Sequence, residues 1–186
     1  MERTEIRLAG FGGQGVILAG MIIGRAAAIY ENLEATLVQS FGPEARGGAC
    51  SAQVVISTEP VYYPYIDHSD MLVVMSQEAS TLFAPRVKHG GLILYEQDLV
   101  AASSLPPSIR ALGVPATRIA EDLRRKMILN IVMVGFFAAV SRTLGREAFE
   151  NAVRTMVPPG TETLNLKAFD QGYRHGADLL AKEGKT

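Results

Sequence analysis

Between residues 10 and 15 the chain reads Gly-Phe-Gly-Gly-Gln-Gly, a density of glycine that neither a helix interior nor a strand interior tolerates. Before it, Glu5 to Ala9 alternates charged and apolar side chains, the period of a half-buried strand. After it, Val16 to Tyr30 is rich in Ala, Ile, Leu and Met and reads as a helix, and Ala35 to Val38 reads as a second strand. Strand, glycine turn, helix, strand is a βαβ unit, which favours a parallel sheet. The expected class is therefore α/β, an open, mostly parallel, Rossmann-like sheet flanked by helices.

The rest of the chain extends that reading. Phe41 to Gly48 is a loop of three glycines and a proline, followed by the β-branched run Cys50 to Ser57, expected as an antiparallel or edge-strand excursion because no helix intervenes. Val61 to Ile66 reads as an extended connector, Met71 to Met75 as a strand covered on both faces, Glu78 to Val87 as a short helix, and Leu92 to Tyr95 and Ile109 to Val114 as further strands. A long helical region is expected from about Ile119 to Leu144. Residues 146–186 read as a C-terminal helical appendage on a 1–145 core: a helix over Glu147 to Val153, a break at Pro158-Pro159-Gly160, and an amphipathic helix from Leu166 to Lys182.

Gly10, Gly12 and Gly15 match the G-x-G-x-x-G pattern in the right place, after a strand and before a helix whose N-terminus favours an anion. A nicotinamide dinucleotide site also needs an acidic residue at the end of the second strand, about 20 positions on. That strand ends in Val38-Gln39-Ser40, and Glu34 precedes it. Three readings stay open: a dinucleotide, another phosphate or anion, and a turn needed only for tight packing or a protein interface. Gln14 is unusual in such a turn, with an amide able to reach a ligand or a neighbouring chain. The second loop places Glu44 and Arg46 among Gly42, Gly47 and Gly48, at the sheet edge where ligands bind in such folds. Arg46 suits bidentate pairing with a carboxylate or phosphate, or a surface pair with Glu44.

Composition limits the chemistry. The 186 residues carry 18 basic and 19 acidic side chains, which argues against a dedicated nucleic-acid binder. One Cys makes no internal disulfide, Cys-rich zinc site or iron–sulfur cluster, and three scattered His leave little for a metal site. The N-terminus is not a signal peptide. The most apolar segment, Ile128 to Val140, would span about 20 Å as a helix, short of the roughly 30 Å hydrocarbon core, so no membrane span and a cytoplasmic location are expected.

The Gly-Phe-Gly-Gly-Gln-Gly turn at 10–15, the Phe-Gly-Pro-Glu-Ala-Arg-Gly-Gly loop at 41–48, Val114-Pro115-Ala116-Thr117 and Leu164-Asn165-Leu166-Lys167-Ala168-Phe169 together resemble the gamma subunit, or gamma domain, of 2-oxoacid:ferredoxin oxidoreductases. The Pro-Glu-Ala-Arg-Gly-Gly form resembles the 2-oxoglutarate type more than the indolepyruvate type. The resemblance implies a complex that converts a 2-oxo acid, coenzyme A and oxidised ferredoxin to acyl-CoA, carbon dioxide and reduced ferredoxin. It further implies alpha and beta subunits holding thiamine diphosphate and Mg2+, with iron–sulfur clusters in beta or in a ferredoxin-like delta subunit. This chain would carry no such group itself, lack a catalytic residue, and assist assembly or hold part of coenzyme A. Its expected ligand- or partner-binding residues are Gly10, Gly12, Gly13, Gln14, Gly15, Glu44, Arg46, Gly47 and Gly48. A stand-alone NAD-dependent oxidoreductase and an independent coenzyme A-binding adaptor are the competing readings.

Other chemistry-bearing residues have plain alternatives. Cys50 reads as a buried thiol rather than a nucleophile, having no nearby base. His68 reads as part of a solvated turn, and His89 and His175 as exposed. Tyr62, Tyr63 and Tyr65 form either a contact surface or packing over the sheet. Glu96 and Asp98 read as solvated turn acids or as ligand-facing at the sheet edge. Arg124, Arg125 and Lys126 read as a solvated face. The segment from Met127 to Phe137 is apolar on more than one side, so it is either central in this chain or covered by another.

Overall fold

A computed structural model describes residues 3–41 and 49–184; Gly42 to Gly48, with the expected site residues Glu44, Arg46, Gly47 and Gly48, lie outside that range. Six strands form one sheet: β1 (Thr4–Phe11), β2 (Glu34–Phe41), β3 (Ala49–Ser57), β4 (Ser69–Val74), β5 (Val87–Glu96) and β6 (Arg110–Val114). Their order is β2-β3-β1-β4-β5-β6. β1, β4, β5 and β6 are mutually parallel, while β3 pairs antiparallel with both β1 and β2.

The expected βαβ unit is present with an insertion. β1 and β2 run the same way, but β3 lies between them, so β3 is antiparallel as expected and internal rather than an edge. The reason is burial on both faces. Ala52, Val54 and Ile56 face the main core and Val55 is buried on the other side. The crossing helix α1 (Val16–Arg25) fits over β3 at Gly20, where an added Cβ would come within 2.8 Å of the Ala52 methyl. The helix expected to reach Tyr30 changes at Ala26 into a π-helical turn, Ala26–Tyr30.

On the second face, α2 (Gln77–Phe83) is capped by the Ser76 hydroxyl, which accepts from the Ala79 amide. It encloses a small core of Ala9, Leu72, Val74 and Ile93. The first face carries the larger core, beneath α1, α4 (Leu129–Ser141), α5 (Arg146–Met156) and α6 (Glu162–Glu183).

The single long helix expected over 119–144 is two helices. α3 (Ala116–Asp122) ends, Arg124 takes a left-handed conformation (φ 57°), and a 3-10 turn over Lys126–Ile128 leads into α4. Met127 therefore sits outside the apolar helix and is 82% exposed. α4 itself is buried from Asn130 to Val140 and is central in this chain. α5 and α6 pack into the same core as α4. A Cβ at Gly135 would lie 2.0 Å from the Phe169 carbonyl oxygen, and one at Gly172 2.0 Å from that of Val132, so the α4 and α6 backbones touch. Phe136, Phe137, Phe149 and Phe169 are fully buried in that shared core.

Candidate functional site

The chain leaves β1 through α1 on one face and β4 through α2 on the other, so the crevice at the carboxyl ends of β1 and β4 is the switch point of the sheet, the place where open α/β sheets bind ligands. The glycine turn lies there. Gln14 holds it shut: its Oε1 accepts from the Phe11 amide at 2.6 Å and its Nε2 donates to the Met75 carbonyl at 2.8 Å. Gly10 makes room for this clamp, since a Cβ there would meet Gln14 Oε1 at 2.5 Å. The Gln14 amide is thus engaged within the chain rather than offered outward. Gly13 (φ 95°) and Gly15 (φ 74°) both require left-handed backbone. Gly12 is exposed.

Gly15 is also tied to α4. Asn130, 3% exposed, donates from Nδ2 to the Gly15 carbonyl at 3.2 Å, and a Cβ on Gly15 would fall 2.4 Å from that nitrogen. Beside this contact opens a cleft of about 580 Å3. Its walls include Gly13 and Leu18 from the turn and α1, Arg124, Arg125 and Lys126 from the bend before α4, and Pro158, Thr161 and Asn165 at the start of α6. The first turns of α1, α4 and α6 all line it, so three helix N-termini with their partial positive charge converge there. Among the described residues no acidic side chain lines it. Lys126 pairs with Glu121 at 2.8 Å, whereas Arg124 and Arg125 have no ion-pair partner among the described residues. Asn165, 5% exposed, donates from Nδ2 to the Thr161 carbonyl (2.9 Å) and hydroxyl (3.0 Å), fixing the turn that opens α6. Such a cleft is built to take an anionic ligand with some apolar surface.

Reasoning from the sequence missed Asn130, Thr161 and Asn165, and left Arg124 and Arg125 on a solvated face, because only the bend between α3 and α4 brings them beside the glycine turn. A signal existed for Asn130, a lone amide interrupting the most apolar run of the chain.

Elsewhere the expected alternatives resolve differently. Glu96 is fully buried, neither solvated nor open to a ligand. Its carboxylate accepts from the Thr117 amide at 3.0 Å, near the start of α3, and from the Asp98 amide at 2.9 Å. Asp98 pairs with Arg118 at 2.8 Å. His175, expected to be exposed, is half-buried with Nε2 3.2 Å from the Gly113 carbonyl and its ring edge-on to Phe136. Burial pushes the Cys50 thiol above its ordinary value. Among the described residues no group of three or more His, Cys, Asp or Glu is placed to hold a metal, and no helix is long and apolar enough to cross a membrane. A nicotinamide reading fits the topology poorly, since β3 sets the end of β2 two strand spacings, roughly 9.5 Å, from β1.

The family model described as pyruvate ferredoxin/flavodoxin oxidoreductase matches residues 5–175. The chain is 46% identical over 179 residues to the 2-oxoglutarate synthase subunit KorC of Methanocaldococcus jannaschii, covering 95% of this chain and 96% of that one. It is 40% identical over 152 residues to the ketoisovalerate oxidoreductase subunit VorA of Methanothermobacter thermautotrophicus, covering 81% of this chain and 31% of the longer relative. The crystal structure of the keto/oxoacid ferredoxin oxidoreductase gamma subunit from Geobacter sulfurreducens PCA superposes with a TM-score of 0.83 at 37% identity, covering 94% of this chain and 99% of that one. On sequence, length and fold alike, the chain belongs to the pyruvate ferredoxin/flavodoxin oxidoreductase family.

Proposed function

We propose that this chain is the gamma subunit of a 2-oxoacid:ferredoxin oxidoreductase acting on 2-oxoglutarate. The complex would convert the 2-oxo acid, coenzyme A and oxidised ferredoxin to acyl-CoA, carbon dioxide and reduced ferredoxin. The observation that carries the reading is the end-to-end match to a 2-oxoglutarate synthase subunit of nearly the same length. Alpha and beta subunits, with or without a ferredoxin-like delta subunit, would hold thiamine diphosphate, Mg2+ and the iron–sulfur clusters. A single Cys in the sequence is too few to hold an iron–sulfur cluster, which supports that division.

Within this reading, the role of the chain's own residues is to bind and orient coenzyme A. The phosphates sit in the cleft against the N-termini of α1, α4 and α6, with Arg124 and Arg125 as counter-charges and the Gln14 and Asn130 clamps keeping the glycine turn rigid. Glu44 and Arg46, which follow β2 in the sequence, are proposed as further ligand or subunit contacts. The support is the coincidence of three helix ends and two arginines that, among the described residues, have no ion pair and share one cleft with no carboxylate.

Reconstitution tests both parts. The purified chain alone is expected to reduce no ferredoxin with 2-oxoglutarate and coenzyme A, and activity is expected on mixing with its alpha and beta companions. In the mixture, the Arg124→Ala/Arg125→Ala variant should raise KM for coenzyme A by about tenfold, with kcat within a factor of about two. Turnover by the isolated chain would overturn the division of labour. An unchanged KM would remove the cleft from coenzyme A binding.

A further inference from the structure

Two arginines lie on the second face of the sheet. Arg7, on β1, is 5% exposed; its Nη2 donates to the Ile66 carbonyl and its guanidinium carbon lies 4.7 Å from the centre of the Phe83 ring. Its buried Nε has no hydrogen-bond partner. Arg86, in the 3-10 turn after α2, is exposed. Neither arginine has an ion pair among the described residues. Burial first, and the charge of Arg86 second, pull Arg7 below its ordinary guanidinium value, opposed only by Asp67. Two cations beside one carboxylate leave net positive charge at a desolvated site, which a further anion offsets.

The connector that Arg7 holds at the Ile66 carbonyl runs into β4, where Ser69 pairs with Val87 beside Arg86, and it exposes aromatic surface. Tyr62, Tyr63 and Tyr65 are 92%, 60% and 55% exposed. The connector that carries them is held at two points: Arg3 Nη2 donates to the Tyr63 carbonyl at 2.8 Å, and the Ile66 amide donates to Gln53 Oε1 at 2.7 Å. Tyr63 and Tyr65 pack edge to face, 5.5 Å between centroids. A pinned segment loses little conformational entropy when a partner lands, and tyrosine and arginine are the residue types that dominate interface affinity.

We propose that Tyr62, Tyr63 and Tyr65 with Arg86, backed by Arg7, form a docking surface for a partner polypeptide that lays an acidic side chain on Arg86 and apolar side chains on the tyrosines. The incoming carboxylate offsets the positive charge that the two guanidiniums keep beyond Asp67, and the rings supply apolar area that water leaves on contact. The inference rests on the reading of this chain as one subunit of a larger enzyme.

The test titrates the full-length chain onto its alpha and beta companions by biolayer interferometry, with thermal melts to check folding. Arg86→Glu and the Tyr62→Ala/Tyr65→Ala variant are each expected to weaken association by about tenfold or more, while Arg86→Lys stays within about threefold. Wild-type association should weaken as salt rises. Wild-type affinity in both disruptive variants overturns this surface and leaves the subunit reading intact. No association of the wild-type chain overturns both. Variants that disrupt only self-association would make the occupant a second copy of the chain and overturn the acidic-partner proposal.

Discussion

Gly15 carries two constraints at once, a left-handed backbone and the Asn130 side chain pressed against its Cα. Gly13 carries only the first, with nothing within 4 Å of an added Cβ. Gly15→Ala is therefore expected to cost about 3 kcal/mol, backbone strain plus overpacking, and Gly13→Ala only about 1 kcal/mol, read as shifts of the urea midpoint at unchanged m-value. Equal losses would show that the Asn130 contact is unimportant. Glu5 offers a pH test at the same scale. Burial alone would raise its carboxyl, but hydrogen bonds from Lys88 and Arg3, with their charges, outweigh it and hold the group below its ordinary value. A carboxyl depressed in the folded state stabilises above its unfolded pKa and loses that contribution as pH falls through the folded value. Stability of the wild type should thus fall more steeply below about pH 4 than that of Glu5→Gln, by a small amount because the cluster is solvent-screened. The glycine spacing was legible at this scale because chain chemistry alone demands it. What the glycines make room for, Gln14 beneath Gly10 and Asn130 beside Gly15, was not, because the second partner lies 115 positions away.

At the scale of elements, the α4–α6 contact is the one most exposed to a single methyl. Gly172→Ala would push Cβ into the Val132 carbonyl, with backbone rather than a flexible side chain as the obstacle. It should cost about 3 kcal/mol, lowering the melting temperature by roughly 6–12 °C in a chain of this size. Gly184→Ala, 3.6 Å from its nearest neighbour and past the end of α6, should change it by less than about 2 °C. Strands and helices were mostly legible from periodicity. The break between α3 and α4 was not, since Arg124, Arg125 and Lys126 suit a helix interior by propensity. Tertiary packing overrides that preference, turning α4 so that its whole Asn130–Val140 stretch is buried.

Across the whole molecule, the C-terminal helices decide whether the rest holds together. A chain ended at residue 145 would uncover the α4 surface that now packs on Phe149 and Phe169. Residues 1–145 alone are expected to aggregate or to lose near-ultraviolet circular dichroism while keeping much of the helical signal; a cooperative thermal transition would restore the appendage view. The order β2-β3-β1 belongs to this scale as well, because a strand's neighbours are chosen by which faces find cover and not by its own pattern. Composition, the strand–glycine–helix unit and the absence of cluster-binding cysteines followed from the residues themselves, since each is a local steric or valence requirement that any fold must meet. The inserted strand, the buried role of Glu96 and the meeting of three helix ends with Arg124 and Arg125 came only with the folded chain. Those features depend on distances between residues far apart in sequence, which close packing of one shared core alone fixes.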